Sequence, residues 1–165
     1  MAKLEKLGFY LQLTDSGTLY RINYGVTALT PTSGYNEEKV TFIGDKNSTT
    51  FDKGMNVEYS LTCVMFSEDE MPDERSDEYE VLKWAYYIGF TQRTGKDTEA
   101  WLIVANLFEG GNCTATKAKV KYTPDNPGGG TGGDMLNFTG KLAQQGDAVK
   151  GTFNPSTKTF TAAAS

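Results

Sequence analysis

The C-terminal stretch 136–161, LNFTGKLAQQGDAVKGTFNPSTKTFT, has the alternating polar and apolar pattern of antiparallel β-strands. We predict two strands that meet at a turn over 144–147, and a third strand after Asn154-Pro155. Cross-strand partners in such a hairpin share a face, so it would have one small polar face and one apolar face. The predicted polar face consists of Asn137, Thr139, Lys141, Ala148, Lys150 and Thr152, and the apolar face of Phe138, Leu142, Val149 and Phe153.

Shorter runs of the same kind recur along the chain and predict further strands at 9–13, 18–24, 39–43, 57–66 and 114–122. The run 100–109, AWLIVANLFE, is apolar on both faces, which is typical of a central strand. Polar or glycine-rich stretches predict loops at 31–34 and 123–133, and either a loop or the tip of a long hairpin at 44–54. Seven to nine strands are expected in all.

A single helix is predicted at about 76–88. Ser76 is a suitable N-cap, acidic residues follow it at the positive end of the helix dipole, and Gly89 is a suitable stop. Val81, Ala85 and Ile88 recur at helical spacing and form one apolar stripe. This helix would pack on the strands with that stripe.

The length of 165 residues, with 38% hydrophobic and 22% charged residues, predicts one domain over 1–165 with its own core. Within it, 1–17 is expected to form an N-terminal arm and 123–133 a glycine-rich loop. The predicted class is mainly β: an antiparallel sandwich or barrel with one flanking α-helix.

Charge is unevenly distributed. Residues 68–80, EDEMPDERSDEYE, hold eight acids and one base, which leaves the rest of the chain at +2 for a total of −5. Lys117, Lys119 and Lys121 alternate with apolar residues and therefore line one side of a strand. These lysines discourage edge aggregation on one interpretation. On the other, they meet the acidic run of a neighbouring copy, with a candidate subunit interface formed by Asp73, Glu74 and Asp77 against Lys117, Lys119 and Lys121.

Several classes of function are disfavoured. The chain has no histidine, which removes the commonest general base, and its acidic run lacks the spacing of a calcium loop. The GxGxxG pattern at 128–133 leads into a strand rather than a helix, so no cofactor is expected. An acidic chain without a basic patch is a poor nucleic-acid binder. We expect no enzymatic activity, no bound metal, no membrane span, two free thiols at Cys63 and Cys113, and no signal peptide.

The order of elements over 18–161, and above all the ending G-D-x-V-x-G-T-F at 146–153 followed by K-T-F at 158–160, resembles the major tail proteins that form the tail tube of long-tailed bacteriophages. The resemblance implies a self-assembling virion protein, made in the bacterial cytoplasm, whose hexameric rings stack around a tape-measure protein. It further implies contacts with tail terminator and distal tail proteins, and a lumen through which DNA passes without specific binding. Strands from six copies would close into one barrel. The lumen should be electronegative, although the predicted polar face carries lysines.

The alternative is a β-sandwich carbohydrate-binding or decoration module, in which tyrosines and tryptophans form a sugar-stacking platform. Trp84 in the predicted helix and Trp101 in an apolar strand are better suited to a core or an interface. Particle size separates the two hypotheses, because a tail protein forms rings or filaments and a binding module stays monomeric.

Overall fold

The computed structural model describes residues 6–14, 17–22, 25–44, 46–70, 76–129, 132 and 136–164. Within these ranges the chain forms eight strands and one α-helix. The strands are β1 Leu7–Gln12, β2 Leu19–Arg21, β3 Val26–Val40, β4 Thr49–Val64, β5 Glu99–Asn106, β6 Cys113–Gly129, β7 Asn137–Asn154 and β8 Thr159–Ala162. The helix, α1, is Ser76–Phe90, and short 3-10 turns occupy Glu68–Glu70, Gly95–Thr98 and Leu107–Glu109.

The strands form one open antiparallel sheet in the order β2-β1-β5-β6-β7-β4-β3, with β8 paired to β7. The predicted class, mainly antiparallel β with one flanking helix, is confirmed. The strands form one continuous sheet because β6 and β7 are long enough to pair with different strands along their lengths. On the edge away from β6, β7 pairs with β4 over 137–143 and with β8 over 151–154.

The main core lies between α1 and one face of the sheet. The predicted helical stripe is confirmed, since Val81, Ala85 and Ile88 are buried together with Leu82. They pack on Phe9, Leu11, Leu61, Cys63, Leu102, Val120, Tyr122, Phe138 and Leu142. Gly89 does not stop the helix, which continues to Phe90. A β-carbon at Gly89 would sit tightly against Pro127, so the glycine allows α1 to approach β6.

A second, smaller core lies on the opposite face of the sheet and contains Tyr10, Leu19, Ile103, Ala105, Ala115 and Phe153. The central position of β5 is confirmed, because it pairs with β1 on one side and β6 on the other. Ala100 and Leu102 face the first core, whereas Ile103 and Ala105 face the second. This double burial explains why the 100–109 run is apolar on both faces.

The predicted C-terminal hairpin is wrong, because 137–154 is one continuous strand. It pairs along its length with β6, from Asn137 opposite Gly129 to Phe153 opposite Cys113. The expected turn is an irregularity within the strand: between two successive pairing points β6 advances by two residues and β7 by four. Gly146, at φ 78, adopts the left-handed conformation that such a bulge requires. A long antiparallel neighbour therefore overrides the local turn signal.

This correction also divides the predicted polar face. In a hairpin Lys141 and Lys150 would be partners on one side, but in a continuous strand an odd separation puts them on opposite faces. Asn137, Thr139 and Lys141 share a face with Phe153, and Lys150 and Thr152 lie on the face of Phe138 and Leu142, as the pairing with β6 shows. Val149, expected to be buried, is 49% exposed.

Two loop predictions are also corrected, at 31–34 and 123–133, whereas the hairpin alternative for 44–54 is confirmed. Residues 31–34 lie inside β3, which pairs with β4 in a long hairpin whose connection spans 41–48. The 44–54 stretch therefore belongs to that hairpin and its tip, and the strand expected at 39–43 ends at Val40. Residues 123–129 of the expected glycine-rich loop continue β6. The expected arm 1–17 contains β1, which lies between β2 and β5 and is largely buried.

Candidate assembly surfaces

The sheet carries a polar surface on the side away from α1, formed by β3, β4, β7 and the end of β6. Cross-strand neighbours there include Thr30, Ser60, Lys141 and Thr123 in one row. The next row holds Thr32, Glu58, Ala143 and Lys121. We call this surface the polar sheet face; its members are Thr30, Thr32, Glu58, Ser60, Thr62, Lys121, Thr123, Asn137, Thr139 and Lys141.

The polar sheet face is built of short hydroxyl side chains because every second residue of these strands points away from the α1 core. Leu61, Phe138 and Leu142 are at most 4% exposed, while their chain neighbours Thr62 and Lys141 are exposed. Its members include one acid, Glu58, and two bases, Lys121 and Lys141. The named members therefore do not make the surface electronegative.

The strands beneath this surface have unpaired edges among the described residues. β3 pairs with β4 alone, and its 15 residues form one border of the sheet. β6 pairs with β5 only as far as Lys121, so 122–129 pairs with β7 alone. Long unpaired edges are templates for pairing with another chain. The polar sheet face thus lies between two edges that a second copy could extend.

The predicted lysine side of β6 is confirmed as a geometric feature. Lys117, Lys119 and Lys121 alternate with Ala118, Val120 and Tyr122, which are buried. Lys119 Nζ lies 2.9 Å from Glu99 Oε2 and 5.7 Å from the centre of the Trp101 ring. Because β6 lies between β5 and β7 at this point, protection of an edge does not explain the three lysines.

The acidic half of the predicted interface is described only in part. Asp73 and Glu74 lie outside the described residues, and the structure describes Asp77 only as backbone at the start of α1. Asp69 and Glu70 are exposed on the 3-10 turn that precedes them. The pairing of this segment with lysines of another copy stays a prediction.

Both cysteines are buried, and Trp84 packs against the α1 core. Cys63 and Cys113 are both buried free thiols, as predicted. Burial raises the pKa of Cys63 to about 12, so its nucleophilic thiolate is scarce at neutral pH. Within the described part of the chain, no three residues of the types His, Cys, Asp and Glu come together as metal ligands. Trp84 packs against the α1 core near Tyr122, so it offers no exposed stacking platform.

Two exposed apolar surfaces were not predicted from the sequence patterns. Ile43, at the tip of the β3–β4 hairpin, is fully exposed. At the C-terminal end of α1, Tyr87 and Phe90 are 41% and 64% exposed and contact the ring of Tyr86. The signal was available in the sequence, since these aromatic residues lie off the apolar stripe of the helix. The two surfaces lie toward opposite ends of the sheet. The β3–β4 hairpin extends past the end of the β4–β7 pairing at Glu58, whereas α1 ends near Pro127, at the opposite end of that pairing.

Comparison with solved structures places the fold. Over 98% of its length the chain matches the whole of a chain from the tail of an empty gene transfer agent particle with C6 symmetry, at a TM-score of 0.58 and 17% identity. It matches the whole of a chain from the virion of a native gene transfer agent particle over 98% of its length, at a TM-score of 0.54 and 16% identity. The chain has the fold of these particle chains.

Sequence comparison adds no further relative. No family model matches the chain, and no curated protein sequence matches it. No helix among the described residues has the length and apolar character of a membrane span.

Proposed function

We propose that this chain is the tube subunit of a phage-like tail, and that it assembles into stacked hexameric rings around a conduit for DNA. The observation that carries the proposal is the polar sheet face bordered by two unpaired strand edges. The likeness of fold to a tail chain in a C6 particle supports it. In this proposal the protein belongs to the virion tail and is assembled in the bacterial cytoplasm.

The edges suggest how rings form. The outer edge of β3 in one copy would pair with 122–129 of β6 in the next, so that four strands from each copy continue around a closed barrel. Closure removes both edges, so the 15-residue strand β3, whose outer edge is unpaired in the isolated subunit, would gain a second neighbour. The polar sheet face would then line the interior.

A lumen of this composition suits transport rather than binding. Threonine and serine hydroxyls hydrate well and carry no charge, while tight DNA binding needs many lysine or arginine contacts to phosphate. Lys121 and Lys141 are opposed by a single acid, Glu58, on this surface. From the resemblance to tail tube proteins we also propose that a tape-measure protein lies inside the tube, and that tail terminator and distal tail proteins bind at its ends.

The proposal is tested by negative-stain electron microscopy of the concentrated purified protein. We expect rings or tubes with six-fold averages, and sedimentation that shifts to large particles as concentration rises. A protein that stays monomeric at all concentrations, with and without a tape-measure protein, would contradict it.

A further inference from the structure

A cleft of about 410 Å³ opens between β2 and the turn that leads into β8. Its floor is apolar and consists of Leu19, Ile103 and Phe160, and its rim carries Lys117, Lys158, Thr18, Thr157 and Thr159. None of the described lining residues is acidic. The cleft is therefore positively charged, although the chain as a whole has a charge of −5.

Gln12 adds a second requirement for whatever occupies the cleft. This lining side chain is 8% exposed, and its Nε2 donates to the carbonyl of Gly17 at 2.7 Å. Its Oε1 is buried and accepts no hydrogen bond from the described residues. Leaving a buried acceptor unpaired costs free energy. The best occupant would thus bring a hydrogen-bond donor as well as negative charge.

A protein segment that carries carboxylates and free backbone N–H groups meets both requirements. Its carboxylates suit Lys117 and Lys158, and its backbone N–H groups can donate to Gln12 Oε1. A fully ionised inorganic anion offers only acceptors. Among the described residues β2 pairs only with β1, and β8 only with β7, so the cleft also lies beside strand edges that can bind peptide backbone. Lys158 has φ 52, a strained conformation of the kind that clusters at binding sites.

We infer that this cleft binds the acidic segment 68–80 of a second copy of the chain. The charge of that segment is −7 and that of all other residues together +2, so the protein itself contains the complementary ligand. Asp69 and Glu70 are exposed on its described part. Lys119 forms an ion pair with Glu99, and neither Lys119 nor Lys121 lines the cleft. Lys117 and Lys158 both line it, so they are the two lysines that would contact the acidic segment. The inference rests on the proposed function, because it assigns one contact between tube subunits.

This contact is heterologous, since the segment and the cleft are different surfaces of one chain. Such contacts close into rings or continue into filaments according to the rotation between copies. Ion pairs at such an interface set partner choice and register more than affinity. The contact would therefore orient subunits whose strand edges supply most of the association energy.

Binding is tested directly with a labelled peptide of residues 67–75, SEDEMPDER, added to dilute full-length protein and followed by fluorescence anisotropy. We expect binding that the double variant Lys117→Gln/Lys158→Gln weakens about tenfold. The matched control Lys96→Gln should bind like the wild type, and the peptide SQNQMPNQR, in which amides replace all five acids, should not bind. Equal binding to the double variant and the wild type would overturn the inference. So would displacement of the peptide by low-millimolar inorganic phosphate, which would indicate a simple anion site.

A charge exchange tests the contact in the assembly. Lys117→Glu/Lys158→Glu and Asp69→Lys/Glu70→Lys should each slow assembly about tenfold, while the chain that carries all four changes should recover. Circular dichroism melting shows whether each variant is folded. If the wild type and the folded Lys117→Glu/Lys158→Glu variant form tubes at the same rate, this inference fails and the proposed function stands. If the wild type forms no particles at all, the proposed function fails.

Discussion

Tyr122 on β6 and Gly140 on β7 fit together so closely that a β-carbon at Gly140 would overlap the Tyr122 ring. The two strands are neighbours, and the ring lies across the position that a side chain at 140 would take. Tyr122 is 1% exposed and also contacts the Trp84 ring of α1 at 5.8 Å between centroids. The pair therefore connects β6, β7 and the helix in one packed unit.

We expect Gly140→Ala to lower the free energy of unfolding by about 2–3 kcal/mol, because an added methyl in a packed core forces its neighbours apart. Gly34→Ala is the matched control, since Gly34 is also inside a strand but has no atom within 4 Å of an added β-carbon. Urea unfolding measures both. In a Tyr122→Leu background the cost of Gly140→Ala should shrink, and an unchanged cost would contradict the packing explanation.

Tyr122→Phe should raise the free energy of unfolding by about 1 kcal/mol at neutral pH. The Tyr122 hydroxyl is buried and has no hydrogen-bond partner among the described residues, so its removal relieves a desolvation cost. Burial also raises the pKa of this phenol above its ordinary value. Thermal melting checks the prediction, with Tyr87→Phe at the exposed helix end as control. A destabilised Tyr122→Phe protein would show that the hydroxyl is satisfied.

Stability should fall at alkaline pH. Burial raises the pKa of Cys63 from 9.0 to about 12, so the folded state holds this proton more tightly than the unfolded chain does. That contribution is complete below pH 9 and is lost as pH rises toward 12, at up to about 1.4 kcal/mol per pH unit. Cys63→Ala should lose part of this slope between pH 9 and 11. Urea midpoints across that range measure it, and an unchanged slope would refute the assignment.

Both thiols should react slowly with a thiol reagent in the folded protein. Cys63 and Cys113 are 1% and 0% exposed, so reaction requires opening of the core. Two equivalents of thiol should appear at once in denaturant without a reducing agent. Rapid native labelling of either residue would contradict its burial, and a count of zero would indicate a disulfide.

Ile43→Ser should impair assembly without lowering the melting temperature of the subunit. The side chain is fully exposed at the hairpin tip, so its change costs the isolated fold little, whereas burial against a neighbour would stabilise by about 1.5–3 kcal/mol. Ile43→Val is the conservative control and should assemble normally. Light scattering at fixed concentration follows the rate. Equal rates for the serine variant and the wild type would exclude the tip from the contact.

Assembly should also weaken between 0.1 M and 1 M salt, as the Debye length falls from about 10 Å to about 3 Å. Replacing Asp73, Glu74 and Asp77 with Asn, Gln and Asn should slow it at low salt and leave the subunit folded. Replacing Asp97 with Asn, on a separate 3-10 turn, controls for the loss of an exposed acid outside the acidic run. A triple variant that assembles at the wild-type rate in low salt would show that the acidic run 68–80 is a solvated loop with no role in assembly.

Local sequence was sufficient wherever the signal came from alternation and helical spacing. The sequence predicted the buried sides of β4 and β6, the two-sided burial of β5 and the apolar stripe of α1. In each element the spacing of the apolar residues shows which face is removed from water, and this spacing is a property of the segment itself. The resemblance at 146–160 likewise agreed with the fold found among solved particle chains.

Tertiary structure alone decided where strands continue and where they turn. The Gly146 region and Pro31–Gly34 contain turn-forming residues, but β6 and β4 each extend alongside them and hold the backbone in the sheet. That outcome placed Lys150 and Thr152 on the opposite face from Lys141. The cleft that joins Gln12, Lys117 and Lys158 has no local signature, because its parts come from β1, β6 and the turn before β8. Only pairing between distant strands brings them together, and pairing depends on the neighbour rather than on the segment itself.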